Sequence, residues 1–375
     1  MRALITGGAG FIGRYLVREL LNRKFDVVVL DSLEPRVHGT SGGHSLPSEV
    51  HFVKGDVRVK SDWEKVLAGV RIVFHQAAYQ DYMPDYSKFF HTNVVGTSLL
   101  YEVIGEKKLP IEKVVVASSQ AVYGEGQYKC EEHGMLLPKA RSKDQMLRSR
   151  WDLTCPECSR LLTFQPLEEQ HPNPYNPYAL SKYSQELVAL RLGRLLGVPT
   201  VALRYSITQG PWQSPLNMYS GICRIFTSRV LNGQPPVVYE DGNQVRDYVH
   251  VEDVVAANLF VAFHDGANFE ALNVGSGQGT TVLEYAKLIA KISGRNIAPL
   301  VPGKYRFGDN RHSVSSIQKI QALGWNPTKN VSQAIRDYFQ WLNSRPNGDK
   351  LYLMADQEME QAGIICAVAH GSSAS

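Results

Sequence analysis

Tyr178 and Lys182, in the stretch NPYALSKYSQELVALRLGRLLG, stand four residues apart in an apolar-periodic segment, so a helix puts both on one face. A phenol is a weak base at its ordinary pKa of about 10, but an adjacent ammonium and a cationic hydride acceptor both favour the phenolate. Such a tyrosine can take the proton of an alcohol while a hydride leaves the same carbon. Ser119, at the end of the strand-like run KVVVASS, would hydrogen-bond the same oxygen. Any amphipathic helix can show Tyr-x-x-x-Lys by chance, so the pair acquires meaning only if the chain also holds a hydride acceptor. A second constellation is KCEEHG with TCPECS, which supplies Cys130-x-x-His133 and Cys155-x-x-Cys158. Two such pairs about twenty residues apart fit a closed tetrahedral Cys3His zinc site, structural because no coordination position stays open. A redox Cys-x-x-Cys is the rival, but the thioredoxin-like strand and helix are missing and His133 would go unexplained. Incidental thiols in a solvated loop are the third reading.

The hydride acceptor has a place near the beginning of the chain. RALITGGAGFIGRYLVRELLNRKFDVVVLDSLE reads as strand, glycine turn, apolar-periodic helix, and a second β-branched strand ending on an acid. Gly7 suits the tight turn, Gly10 a close approach of backbone to a pyrophosphate, and Gly13 the packing of helix on strand. The helix N-terminus offers unpaired N–H groups to phosphates. Asp31 stands where a carboxylate would accept from the adenosine ribose diol, which favours NAD over NADP, a preference that Arg36 weakens a little. A glycine-rich turn of any α/β domain is the bland alternative, and the flanking strand, helix and acid argue against it.

These groups need a scaffold. Further strand-like runs, VHFV, RIVFHQAA and KVVVASS, alternate with helical patterns around 63–67 and 89–104, which implies an α/β fold with a doubly wound parallel sheet. Ligands of such sheets lie outside the carboxyl ends of the strands, so Asp56, the segment 76–80, Ser118 and Ser119 should face one crevice. Helical patterns at 281–293, 316–323 and 332–342 follow. The 375 residues allow one large core or two domains sharing a cleft. The net charge of +4 is spread in both signs, without a basic block or aromatic-basic alternation, so no nucleic-acid partner is expected. No apolar run reaches membrane-spanning length, the first strand begins almost at Met1, and five cysteines do not suit a disulfide framework. The expectation is a cytoplasmic protein with no membrane partner, in which Cys223 and Cys366 are ordinary buried or tail thiols.

TGGAGFIG, SSQAVYG, PYALSK, VRDYVHVEDV and LNVGSG, in this order, resemble the extended short-chain dehydrogenase/reductase family, in its nucleotide-sugar epimerase and dehydratase branch. The resemblance runs from Met1 to about Leu342 apart from one insertion. It implies a Rossmann domain over 1–205 with tightly bound NAD, interrupted by a Cys/His insertion at 126–172, then a smaller C-terminal lobe over 206–345 that grips a nucleoside diphosphate sugar. The chain is expected to cross between lobes, and the tail over 346–375 has no counterpart, its HGSSAS end reading as disordered. By the same resemblance Phe11 and Ile12 line the pyrophosphate, Asp56 and Val57 the adenine, and Ala77 and Ala78 run beside the cofactor. Asn93 sits on the helix behind the site, among the cofactor-binding residues. Ser119, Tyr178 and Lys182 form the catalytic triad, Arg246 and Arg306 hold the substrate diphosphate, and Tyr239 packs on the nucleobase.

The 4,6-dehydratases of this branch resemble Thr-Asp-Glu after the catalytic position, whereas this chain reads Ser119-Gln120-Ala121. The acid pair for water loss is missing, and 4-epimerisation needs only a hydride leaving C4 and returning to the opposite face. Ser206-Ile207 replaces a common Phe-Asn. Asn217 is the alternative substrate contact, and a plain loop asparagine reads the same. RYSITQGP and NMYSGICRIF, with the insertion, most resemble a subgroup of dTDP-L-rhamnose 4-epimerases, which implies interconversion of dTDP-L-rhamnose and dTDP-6-deoxy-L-talose. A UDP-sugar 4-epimerase, a nucleotide-keto-sugar reductase using NAD(P), and a non-catalytic NAD-binding protein are the alternatives. Relatives pair as homodimers through a four-helix bundle, for which ELVALRLGRLL is apolar enough.

Overall fold

The computed structural model describes residues 1–38, 46–81, 84–214, 221–345 and 365–368, the side chain of Arg36 excepted. Asn217 and the HGSSAS tail therefore lie outside the described residues. Seven parallel strands make the main sheet: β1 (Arg2–Thr6), β2 (Asp26–Asp31), β3 (His51–Lys54), β4 (Ile72–His75), β5 (Lys113–Ser119), β6 (Thr200–Tyr205) and β7 (Ala271–Val274). Their spatial order is β7-β6-β5-β4-β1-β2-β3, and every adjacent pair is parallel. Parallel strands are covered on both faces, which is why Ala3–Thr6 and Val27–Leu30 are almost continuously apolar and buried. The edge strand β3 is mostly exposed and carries His51 and Lys54.

Helix α1 (Phe11–Asn22) follows β1 directly and buries Tyr15, Leu16, Val17 and Leu20 against one side of the sheet. Helices Lys60–Val66 and Gly96–Glu106 cover the other side through Trp63, Leu100 and Ile104. The order of connection reverses between β1 and β4, so a crevice opens there beyond the strand ends. Strand β7 belongs to this sheet although it lies far into the C-terminal part of the chain, so the chain returns to the large sheet after visiting the smaller lobe.

Helix α2 (Pro177–Leu196) has sharply specified ends. Asn176 Oδ1 accepts from Ala179 N at 2.8 Å, Pro177 occupies the first turn, and Gly197 closes the helix in the left-handed conformation. Capping at Asn176 thus fixes Tyr178 at the mouth of the helix. The smaller lobe centres on strand Val245–His250, which pairs with Ile207–Gln209, Gly279–Thr281 and His312–Ser313. Its core joins Phe226, Tyr248, Tyr285, Ile335 and Tyr338. The insertion folds as a three-stranded antiparallel sheet with Gln127–Cys130 between Gly134–Leu136 and Thr163–Gln165, plus one short helix, Lys143–Leu147. No helix among the described residues is long and apolar enough to cross a membrane.

Candidate active site

The turn after β1 is built from backbone. Gly7 has φ of +68°, and a Cβ there would come within 2.9 Å of Ala77 N. A Cβ on Gly13 would stand 2.2 Å from Gly7 O, so only glycine lets α1 lie on this turn. Gly10, Phe11 and Ile12 complete the arc and line a cavity of about 1730 Å³. Asp31, at the end of β2, accepts from Ala9 N at 3.0 Å and Leu33 N at 2.9 Å, and His38 Nε2 faces it at 3.6 Å. Asp56 and Val57 line the same cavity, as do Ala77 and Ala78. Burial works against the Asp56 charge, but hydrogen bonds from Arg58, at 3.0 and 2.6 Å, hold its carboxyl below the ordinary range.

Ser119, Tyr178 and Lys182 line that cavity too. Ser119 Oγ accepts from Ala121 N at 3.1 Å and hydrogen-bonds the Tyr178 hydroxyl. The charge relation expected between Tyr178 and Lys182 is not the one found. Burial pushes the Tyr178 hydroxyl up to about 12, and the Ser119 hydrogen bond opposes it only in part. Lys182 Nζ instead donates to Ala117 O and Gln185 Oε1, and burial lowers its pKa to about 7 although Glu186 raises it. With the ammonium turned to these two acceptors, desolvation decides the phenol's state, and Tyr178 rests protonated.

A buried relay runs on from the lysine. Gln185 Nε2 donates to Thr97 Oγ1 at 2.9 Å, and Thr97 gives its own proton to Asn93 O at 2.7 Å. His75 Nε2, 2.9 Å from Thr97 Oγ1, must therefore donate, while Nδ1 accepts from Thr6 Oγ1 at 2.7 Å. Burial holds His75 neutral, with a pKa lowered to about 3. Asn93 is fully buried in a π-helical turn, His91–Val95, outside the cavity lining. Its amide exchanges hydrogen bonds with the backbone of Tyr79 and donates to Ser181 Oγ at 2.9 Å, which ties the segment after β4 to α2.

The far wall comes from the smaller lobe. Arg246 donates to the carbonyls of Val245, Arg311 and Asn310 at 3.0, 3.0 and 2.6 Å. These neutral acceptors orient the guanidinium without cancelling its charge. Arg306 lies over the Tyr239 ring at 5.7 Å and 3.5 Å from Asp309 Oδ2, and all three residues face the cavity. Ser206 also faces it, but its hydroxyl is bound to Asp247 at 2.9 Å and Ser315 at 2.8 Å.

In the insertion, the four side chains singled out in sequence meet, with all ligand atoms within 4.8 Å of one another. Cys130 Sγ is 3.6 Å from His133 Nδ1 and 3.6 Å from Cys158 Sγ, and Cys155 Sγ is 3.4 Å from His133 Nδ1. Tetrahedral bonds of about 2.3 Å to sulfur and about 2.0 Å to nitrogen put neighbouring corners about 3.8 Å (S to S) and about 3.5 Å (S to N) apart. Three of the six edges, at 3.4–3.6 Å, come close to those lengths. The sulfurs are too far apart for a disulfide, and all the cysteines are free.

Residues 3–141 and 157–275 match the model of the NAD dependent epimerase/dehydratase family. The chain belongs to that family. The gap in the match falls inside the insertion. Among its relatives, dTDP-L-rhamnose 4-epimerase of Burkholderia thailandensis is 30% identical over 348 residues, covering 91% of this chain and 94% of its own. UDP-glucose 4-epimerase of Thermus thermophilus, solved in complex with NAD, superposes with a TM-score of 0.71 at 30% identity, over 92% of this chain and 100% of that one. The Thermotoga maritima UDP-glucose 4-epimerase, solved with UDP-glucose, gives 0.73 at 28% identity, over 92% and 99%.

Within this epimerase-family site several residues went unread in the sequence. Arg141, from the insertion, lines the cavity and is bound by Glu240 at 2.8 and 2.9 Å. Gln120 Oε1 accepts from Ser313 Oγ at 3.0 Å, bridging the lobes. Pairs so distant in sequence leave no local pattern; His38, seven residues after Asp31, was the one placed close enough to find.

Proposed function

We propose that the enzyme is an NAD-dependent nucleotide-sugar 4-epimerase whose substrate pair is dTDP-L-rhamnose and dTDP-6-deoxy-L-talose. The observation that carries this is a single cavity lined by the glycine turn, the hydrogen-bonded Ser119–Tyr178 pair and Arg246, whose guanidinium is held by three backbone carbonyls. Its volume, about 1730 Å³, exceeds the roughly 300–1,000 Å³ of a single-ligand pocket, so a dinucleotide and a second nucleotide fit side by side. The Gly7 and Gly13 positions, which a Cβ would fill, suit a pyrophosphate at the N-terminus of α1, and Asp31 suits the adenosine ribose.

NAD, when bound, would accept a hydride from C4 and return it. Tyr178 takes the proton of the C4 hydroxyl as the ketone forms and gives it back as the alcohol reforms. Ser119 holds the same oxygen in both states. A phenol resting near pKa 12 is a poor base, and Tyr178 would need the positive charge that oxidised NAD would supply, when bound, to reach phenolate. Arg246 and Arg306 hold the diphosphate while the keto-sugar turns its other face, and Tyr239 packs on the base.

The likeness to the Burkholderia enzyme supports the rhamnose assignment, and the UDP-glucose relatives favour a UDP-sugar as the second reading. The Cys130, His133, Cys155 and Cys158 cluster takes a structural zinc ion in this account. The enzyme is a cytoplasmic homodimer, formed through the α2 face that exposes Leu180, Leu187 and Leu195. Incubating the purified protein, without added cofactor, with dTDP-L-rhamnose and in parallel with UDP-glucose tests the assignment through the C4 configuration by NMR. The 6-deoxy-talose isomer is expected in the first sample. Change in the UDP-glucose sample alone would move the assignment to UDP-sugars.

A further inference from the structure

The insertion is tied to the substrate wall by buried charge. Arg141 is almost fully buried, with Glu240 bound in a bidentate pair, the carbonyls of Trp151 and Asp309 at 3.2 and 2.7 Å, and Glu125 at 3.4 Å. Arg311 continues the network, donating to Glu240 at 3.1 Å, to Asp241 at 2.7 and 2.8 Å, and to Asp152 of the insertion at 2.8 Å. The groups this network fixes are the neighbours of the substrate-facing side chains. Glu240 follows Tyr239, Asp309 lies in the turn after Arg306, and Arg311 O is one of the carbonyls that orient Arg246.

Both halves of the Cys/His cluster lie close to these ties. Tyr128, two residues before Cys130, packs its ring 6.3 Å from that of His312, on the strand paired with Arg246. Asp152, three residues before Cys155, is the Arg311 partner, and the knuckle after it is a hairpin closed by Leu162 N to Leu153 O and Cys155 N to Arg160 O. Between His133 and Cys155 only Arg141, Met146 and Leu153 are buried. Two apolar side chains cannot hold a segment of that length, and a buried arginine among carboxylates is well placed only if its backbone is held for it. A metal joining the two ends of the segment supplies that restraint.

We infer that the insertion is a metal-braced strap for the substrate wall: an ion held by Cys130, His133, Cys155 and Cys158 fixes the segment that brings Arg141 and Asp152 to Glu240 and Arg311, and through them sets Tyr239, Arg246 and Arg306 for a nucleoside diphosphate. This rests on the zinc reading given above and adds a role for it in substrate recognition. Arg141 is a positioning residue here, since its hydrogen bonds go to the protein.

The test uses the purified full chain and reads metal content, bound NAD, and affinity for dTDP and UDP by calorimetry, so that it does not depend on turnover. One zinc per chain is expected. Stripping it with a chelator should weaken the better-binding diphosphate by about tenfold or more and leave bound NAD unchanged, and added zinc should restore the affinity. Arg141→Met should weaken binding similarly while keeping zinc, and Arg141→Lys, which restores one charge but not the four-way hydrogen bonding, should recover it only in part. Absence of metal even after zinc is supplied overturns the zinc reading and the brace together. Zinc that is bound but whose removal leaves diphosphate affinity unchanged overturns the brace alone. No affinity for either diphosphate in the zinc-loaded protein overturns the assignment of this wall, and the proposal with it.

Discussion

The two ends of the cavity are made of different materials. The end proposed for the cofactor is backbone: Gly7, Gly10 and Gly13 contribute no side chain, and Asp31 is held by two main-chain N–H groups. The end proposed for the substrate is charge: Arg141, Arg246 and Arg311 are set by carboxylates and carbonyls drawn from the insertion and from two separated stretches of the smaller lobe. The first leaves no room for an added atom at Gly7 and Gly13. The second tolerates small displacements, but removing one member leaves a buried charge without its counterpart. Between them stands the Ser119–Tyr178 pair, which belongs to neither end and serves both.

Substitutions aimed at one part at a time would break this division or sharpen it. Tyr178→Phe removes the proton carrier and is expected to lower kcat by roughly 10²–10⁴-fold, with bound NAD and diphosphate affinity preserved. Unchanged turnover in a continuous epimerisation assay would remove Tyr178 from the chemistry. Arg246→Met should weaken dTDP binding by roughly 10–100-fold in calorimetry, the worth of charge-assisted hydrogen bonds, without altering the cofactor content of the purified protein. Gly13→Ala should do the reverse. Its Cβ cannot stand 2.2 Å from Gly7 O, so the turn must shift, at a cost of about 1–3 kcal/mol in thermal unfolding, and NAD should be lost while dTDP affinity holds.

The smallest effect concerns Lys182. Its pKa is depressed from the ordinary lysine value to about 7, so the folded chain binds the proton less readily than the unfolded chain does. The buried ammonium is a penalty present in full below pH 7 and relieved as pH rises from 7 towards 10.5. Lys182→Met removes that penalty and also the hydrogen bonds to Ala117 O and Gln185, two effects of opposite sign that offset each other near neutral pH. Its unfolding temperature relative to wild type is therefore expected to fall between pH 7 and 10, and a flat difference would contradict the buried-charge reading.

The same division explains what the sequence disclosed. Glycines required by close approach and the Tyr178–Lys182 spacing are local patterns, and they were legible together with the alternation of strands and helices. The two cysteine-bearing pairs were legible from their short spacers, and the fold brings their four side chains together. The Arg141–Glu240–Arg311 network was not, since its members are common surface residue types separated by up to about a hundred and seventy positions and joined only by the fold. Lys182 shows a subtler limit. Helical spacing put it on the face of Tyr178, but where the ammonium turns depends on Ala117 O and on Gln185, whose partner Thr97 comes from another helix. The π-helical turn around Asn93 likewise follows from tertiary ties to Tyr79 and Ser181 and has no propensity signal of its own.

The most direct test of the account follows one atom. A nucleotide sugar deuterated at C4, dTDP-L-rhamnose first, is converted by the purified protein in ordinary water without added cofactor, and the product is examined by NMR and mass spectrometry. The account predicts that the inverted product keeps its deuterium at C4, because the hydride leaves and returns within one closed site. Replacement of that deuterium by solvent hydrogen in the product would contradict it, and would mean that C4 is inverted by proton exchange and not by transient oxidation.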